Sequence, residues 1–389
     1  YIGCMFCYLH VPFCASKCIY CDFYVTLIKY GGVDAYVSAV CREIDETFES
    51  IRRSEAIYNK PEVLLSPLET LYVGGGTPSL LSPNHYEPIL QTLKSTWGFA
   101  SNPEVTMEFN PNHVSSLLES YRELGFNRVS VGIQSFQENE LKRLSRSHTA
   151  KEAQDFIKKL QQAGFDNISV DLMYGLPEQS AASWEETLKG VIDLGIQHVS
   201  MYGLKVETGT PLEKLLPYAA YHLPDDDTTV SMYEIGTQKL EAAGFVPYEF
   251  SNLAKPGYES RHNLNYWDNG PYLGMGPGAH GYLPPYRTEN IRDLSRYSET
   301  ENVPQERTFC SQEESLENAL IFGLRKRVGV SIPVLERQYG FSFQTQFKDW
   351  LEKYQPNGWI CWDENSGQLA LSSKAIPVSN TILGDLLIR

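Results

Sequence analysis

Three cysteines near the start of the chain, in Cys14-Ala-Ser-Lys-Cys18-Ile-Tyr-Cys21, carry its clearest chemistry. A C-x3-C-x2-C spacing lets three thiols share one short loop and point at a common centre. Thiolates are soft ligands, suited to zinc or to iron–sulfur clusters. Structural zinc closes its tetrahedron with four protein ligands, and a redox disulfide needs only two cysteines. Three thiols fit a four-iron cluster that keeps one iron open; the competing reading is a zinc knuckle borrowing a distant His or Cys. Cys4 and Cys7 form a further C-x2-C, but Cys7 lies in the apolar run CYLHVPF and reads as strand core. Cys41, Cys310 and Cys361 are isolated, so no second cluster is expected.

Other signals recur downstream. Gly74-Gly75-Gly76-Thr77-Pro78 offers backbone that a ligand can approach without a Cβ in the way. Glu108 in Glu-Phe-Asn-Pro, Gln134 in Gln-Ser-Phe and Asp171 ahead of Tyr174-Gly-Leu-Pro177 could serve hydroxyl groups or a cationic ligand. Arg146, in LKRLSRSH, could grip a carboxylate or simply be an exposed helix arginine. The stretch Arg261-His262-Asn263-Leu264-Asn265-Tyr266-Trp267 is too polar and aromatic for a core strand and too short for a helix. It reads as a loop that presents an imidazole between flat rings, with Arg261 able to pair with a carboxylate in bidentate geometry. A second imidazole, His280, follows in Gly274-Met-Gly-Pro-Gly-Ala-His280-Gly.

The elements that must position these residues alternate. Apolar, β-branched runs at 7–12, 70–74, 104–109, 128–133, 167–173 and 198–204 read as strands. Amphipathic stretches at 33–51, 86–97, 115–124, 151–163 and 183–194 read as the helices between them. Such alternation implies βαβ units in a parallel sheet, with right-handed crossovers placing the helices on one side as the sheet curls. The fold class is therefore α/β, a partial (β/α)6 barrel. The cysteine, glycine and acidic signals all fall at one end of these strands, the C-terminal face on which parallel barrels gather their ligand loops. Beyond 205 a helix is expected at 228–243 and a strand at 248–252. Residues 283–312 are rich in proline and charge and read as a linker. Helices at 313–327, 332–339, 344–354 and 378–387, with a hairpin of 359–362 and 368–371, suggest a small helical, winged-helix-like module. The expected domains are 1–285, the barrel with its extension, and 286–389, linker and module.

Bulk properties narrow the function. A formal net charge of −15 argues against a sequence-independent phosphate-binding surface, and the module shows no basic recognition helix, so no nucleic-acid partner is expected. No run of eighteen apolar residues predicts a membrane span, and the first dozen residues lack the pattern of a secretory signal. Eight cysteines, three in one metal-like loop, suit a reducing cytosol better than a disulfide framework.

The cysteine loop resembles that of the radical S-adenosylmethionine (SAM) superfamily, and the later loops resemble its coproporphyrinogen-oxidase-like branch over roughly residues 6–285. The resemblance implies a [4Fe–4S] cluster on Cys14, Cys18 and Cys21 whose open iron takes the amino and carboxylate groups of SAM. It further implies SAM contacts from Tyr8, Tyr20, Gly75, Gly76, Thr77, Glu108, Gln134, Arg146 and Asp171. Two functions in porphyrin metabolism are open to this branch. One is an anaerobic coproporphyrinogen III oxidase, in which a 5′-deoxyadenosyl radical would start the decarboxylation of propionates. The other is a haem chaperone of the HemW family, delivering haem to haem-accepting respiratory proteins. The oxidases carry a further cysteine two residues after the loop, where this chain has Phe23. The chaperones carry HNxxYW, matched by His262, Asn263, Tyr266 and Trp267. That match implies haem binding, with His262 as axial ligand, His280 as rival, Tyr266 and Trp267 packed on the macrocycle, and Arg261 on a propionate. A cytoplasmic protein is implied, with a homodimer and peripheral membrane association compatible with the family.

Overall fold

The computed structural model describes residues 4–53, 55–111, 115–218, 221–300 and 304–387. The outermost residues of the two expected domains, 1–3 and 388–389, and residues 301–303 of the expected linker lie outside it.

Six parallel strands follow one another in chain order across the central sheet: β1 (Met5–Val11), β2 (Leu68–Gly75), β3 (Phe99–Phe109), β4 (Arg128–Gln134), β5 (Ile168–Tyr174) and β6 (His198–Gly203). Six of the seven residues of β1 are buried, as expected where helices cover a parallel sheet. The strand Leu273–Met275 extends the sheet in parallel beside β1, and Asn252–Ala254 closes the far edge antiparallel to β6. Both edges of the six-strand core are thus covered by later chain.

The intervening helices form where apolar residues recur at helical spacing. In Ala150–Gln162, Ala153, Phe156, Ile157 and Leu160 are buried, and a Thr149–Glu152 capping box satisfies the first turn. The helix Ala181–Asp193 starts on an equivalent Ser180–Ser183 box and buries Trp184, Leu188 and Val191. The longest helix, Val33–Arg53, buries Glu43 along with its apolar face. That carboxylate accepts from Gly276 N at 2.8 Å, Tyr297 Oη at 2.5 Å and Asn290 Nδ2 at 2.5 Å. One buried acid on the first helix therefore pins the late segment 276–297 onto the barrel.

The expectations for strands and helices hold to within a few residues, with three exceptions. Residues 283–312 are not a bare linker: His280–Leu283, Tyr286–Asn290 and Gln305–Phe309 form a three-stranded antiparallel sheet, with the helix Leu294–Glu299 between its second and third strands. The strand expected at 248–252 lies later, at Asn252–Ala254, with a short partner at Val246–Pro247. The RHNLNYW stretch is a helix, Arg261–Trp267, and not a loop. After 312 the helices Gln312–Gly323, Ile332–Tyr339 and Lys348–Tyr354 pack with the hairpin Ile360–Asp363/Gln368–Leu371 around Leu320, Phe343, Trp350 and Leu369. Phe250 of the barrel extension packs against that second apolar cluster. Among the described residues, no helix is long and apolar enough to cross a membrane.

Candidate functional site

The C-terminal ends of the strands surround a cavity of about 360 Å3. Cys14, Cys18 and Cys21 form one wall, with Tyr20, Gly75, Gly76, Thr77, Glu108, Gln134, Arg146 and Asp171 around the rest. Segments more than 150 residues apart in sequence, such as Cys14 and Asp171, converge here because each lies at the same end of its strand.

The glycine run has a role that sequence reasoning assigned only to the ligand. Gly75 adopts φ +113°, and a Cβ there would lie 2.5 Å from the His10 ring. A Cβ on Gly76 would lie 2.6 Å from the Phe13 carbonyl. Gly76 N donates to Val11 O at 2.8 Å and Thr77 N to Phe13 O at 2.7 Å. The glycines therefore let β2 close onto the chain just ahead of Cys14, which sets the cysteine loop at the cavity mouth. Thr77 Oγ1 in turn donates to Cys14 Sγ at 3.7 Å.

Acidic groups face the interior. Glu108 accepts from Tyr72 Oη at 2.9 Å and from Gly75 N at 3.0 Å. Burial, reinforced by the Asp171 charge, pushes its carboxyl up to about 7, against the pull of those two bonds and of the Arg128 cation. Burial likewise raises Asp171, opposed by bonds from Ser200 and Ser130; the Ser130 hydroxyl lies 3.1 Å from Oδ1. Both acids are held where a cationic ligand would favour their ionised forms.

Arg146 is half-buried and not an exposed helix arginine: it donates to Cys18 Sγ at 3.3 Å, to Gly132 O at 2.7 Å and to Asn110 Oδ1. Its Nε has no partner among the described residues, and neither does Gln134 Oε1. Gln134 also stands at φ +66°, a left-handed backbone that a non-glycine residue holds at a cost, beside an irregularity in the β4–β5 pairing. Two orphaned polar atoms on one cavity wall fit a polar ligand such as SAM. For the metal, three thiols share the wall, although no three His, Cys, Asp or Glu side chains among the described residues converge as a single-ion site. A cluster offers iron at separate corners, so its thiolates need not meet at one point.

Tyr8 is the one residue assigned to SAM that does not line this cavity. Its hydroxyl is 3.0 Å from His10 Nδ1 and its ring packs 6.2 Å from Tyr72. Sequence reasoning missed Asn110, although it lies in the quoted Glu-Phe-Asn-Pro, and Tyr72 and Tyr202, which line the cavity from the ends of β2 and β6. It also missed Arg128, buried inside the barrel, whose charge acts on Glu108, Asp171 and His262. The available signal was a lone cation opening an otherwise uncharged buried strand.

The HNxxYW residues are placed differently from expectation. His262 is 1% exposed, and both ring nitrogens are engaged: Nδ1 with Thr70 Oγ1 at 2.6 Å and Nε2 with Tyr266 Oη at 2.8 Å. Burial and the Arg128 charge push the imidazole down to about 3, so it is neutral. An iron ligand needs a free nitrogen on an accessible face, and His262 in this packing has neither. Arg261 is likewise committed, to Glu69 and to Asn102 O at 2.7 Å, and is not free for a propionate. The turn is helical because Ser260 Oγ caps it and Glu104 of β3 accepts from the first backbone N–H groups, at 3.1 Å for both Arg261 and His262. Asn263 sits beside Tyr248. Trp267 faces the C-terminal helices, with the Arg325 guanidinium 6.0 Å from its ring centre and its own Nε1 without a partner among the described residues.

Comparison with known proteins agrees with this architecture. The family described as the Radical SAM superfamily matches residues 8–191. The Heme chaperone HemW of Bacillus subtilis (strain 168) is 34% identical over 387 residues, covering 97% of this chain and 99% of that protein. The Heme chaperone HemW of Escherichia coli (strain K12) is 39% identical over 277 residues, 70% of this chain and 69% of that one. Among solved structures, coproporphyrinogen III oxidase (HemN) from Escherichia coli, described as a radical SAM enzyme, superposes with a TM-score of 0.82 over 99% of this chain and 90% of its own. At 20% identity that likeness is one of fold. With full-length relatives above 30% identity and the cysteine, glycine and acidic loops gathered at one barrel mouth, the chain belongs to the HemW family of the radical SAM superfamily.

Proposed function

We propose that this protein is a cytosolic haem carrier that hands haem to respiratory haem proteins, on a barrel holding a [4Fe–4S] cluster and SAM. Cys14, Cys18 and Cys21 would ligate the cluster, which when bound supplies an open iron for SAM. Arg146 would take the SAM carboxylate in charge-assisted hydrogen bonds. Glu108, joined to Gly75 N, would face the ammonium, while Asp171 and Gln134 would serve the ribose hydroxyls.

The observation that carries the choice of carrier over oxidase is Phe23. It stands where the oxidase resemblance calls for an additional thiol, and it lines the SAM cavity with more than half its surface exposed. A benzyl group there offers neither the proton nor the sulfur of a cysteine. The names of the HemW relatives point the same way. The test is to incubate anaerobically reconstituted protein with SAM, a reductant and coproporphyrinogen III, and in parallel to titrate it with haemin. Haemin binding above a control protein with no vinyl-bearing product is the expected result. Decarboxylation of coproporphyrinogen without haemin binding would replace the carrier by the oxidase.

A further inference from the structure

Phe23 also borders a second cavity, of about 330 Å3, separate from the first. Tyr8, Tyr24, Tyr266 and Tyr272 give it an aromatic lining, and His280 and Arg292 supply polar groups. Aromatic faces with a few convergent polar groups are what a flat, carboxylate-bearing ligand needs.

The imidazoles around this cavity differ in availability. His10 is committed at both nitrogens, to Tyr8 Oη at 3.0 Å and to Tyr24 O at 2.9 Å. His280 is 54% exposed; its Nε2 lies 3.3 Å from Arg292 Nη2 and 3.7 Å from Glu289 Oε1. Arg292 also donates from Nε to Glu289 Oε1 at 3.1 Å, but unlike the Arg261 pair this one is exposed, so a propionate can replace it. Its Nδ1 has no hydrogen-bond partner among the described residues. The segment bearing His280 and Arg292 is nevertheless firmly placed. Asn290 Nδ2, lying between them in sequence, is bonded to Glu43 and to Gly276 O at 2.9 Å. The HNxxYW helix contributes Tyr266, whose hydroxyl His262 holds at 2.8 Å.

We infer that this second cavity is the haem-docking site, with His280 as the iron ligand and Arg292 paired with a propionate; the inference rests on the haem-carrier reading above. Nδ1 gives its lone pair to the iron, displacing a solvent ligand, and the ring proton sits on Nε2, on the side of the Glu289 carboxylate. No redox step is involved. Tyr266 and Tyr272, with ring centres 4.6 Å apart, form the packing wall. His262 is then a positioning residue that fixes this wall through Tyr266. A cavity of this size sits at the low end for a bound ligand. It takes one edge of the macrocycle and leaves the rest at the surface, where an acceptor can reach it.

The test titrates haemin into the full-length protein and follows the Soret band in wild type, His280→Ala, Arg292→Met and His262→Phe. His280 is exposed, so its variant keeps the fold. His280→Ala is expected to weaken binding by about tenfold or more and to shift the band, with added imidazole restoring it. Arg292→Met is expected to weaken haemin but not haem dimethyl ester, whose carboxylates are blocked. His262→Phe is expected to keep the band position of wild type. If wild type binds and His280→Ala binds with unchanged band and affinity, the assignment is overturned while the carrier reading stands. If wild type binds no better than a control protein, the carrier reading fails and takes this inference with it.

Discussion

The cysteine loop 14–21 and the helix Arg261–Trp267 each carry several polar or soft side chains in a short stretch, yet they turn them in opposite directions. The loop leaves the end of β1 and presents its thiols to a cavity that residues from the other five strands and their loops complete. The helix lies across the sheet, capped by Glu104 of β3, and sends its imidazole inward between Thr70 and Tyr266. A motif can mark function in either way. In the first its residues meet the ligand; in the second they hold up the wall that does. The difference comes from backbone accounting, because a helix N-terminus packed on a strand brings its first side chains into the core.

Several experiments break or sharpen that contrast. The largest effect should come from changing Cys14, Cys18 and Cys21 together to Ala. Reconstituted protein should fall from about four irons per chain to none and lose its charge-transfer absorbance, whereas a full complement of iron and sulfide would sink the cluster assignment. Next comes Gly75→Ala, which forces a side chain onto φ +113° and into the His10 ring. A loss of about 3 kcal/mol in chemical denaturation is expected, and a variant as stable as wild type would show that β2 does not need this glycine.

The inward role of His262 predicts a stability cost and not a spectroscopic one. His262→Phe should lose about 1–3 kcal/mol by stranding Thr70 and Tyr266, and Tyr266→Phe about 1 kcal/mol. A double-mutant cycle should show the two coupled; additive losses would mean that the 2.8 Å bond does no structural work.

The smallest effect concerns pH. The folded Glu108 carboxyl, raised to about 7, holds its proton over a range in which the unfolded chain has lost it. Its protonation contributes stability that is present in acid and lost as pH rises from the ordinary carboxylate value through about 7. A cationic ligand favours the anion, so SAM affinity should rise as pH passes from 6 to 8. Calorimetric titration of wild type and Glu108→Gln checks this: the variant should show a flatter pH dependence, and parallel slopes would remove Glu108 from the cation site.

Much of the barrel was legible because its strands are short runs rich in apolar and β-branched residues that alternate with helices repeating an apolar face. The cavity was legible for a related reason: residues following strand ends share one face, so Cys14, Gly75, Glu108, Gln134 and Asp171 could be grouped before any contact was known. What escaped was decided by distant partners. Arg261–Trp267 is short and polar, and its helical turn depends on a carboxylate of β3 more than 150 residues earlier. The proline- and charge-rich stretch after 283 became a sheet because Tyr286–Asn290 pairs on both sides and Asn290 reaches Glu43 on the first helix. Tyr8 was assigned to SAM through the family resemblance, but alternation along β1 gives its side chain to the other cavity.

Two cavities bordered by Phe23 are expected to serve two ligands at once. Titrating haemin into the cluster-loaded protein with and without saturating SAM decides this. One haem per chain is expected in both series, with affinity changed by less than about threefold, which is under 1 kcal/mol of coupling. Competition between the two, with SAM displacing haem from the same site, would contradict it.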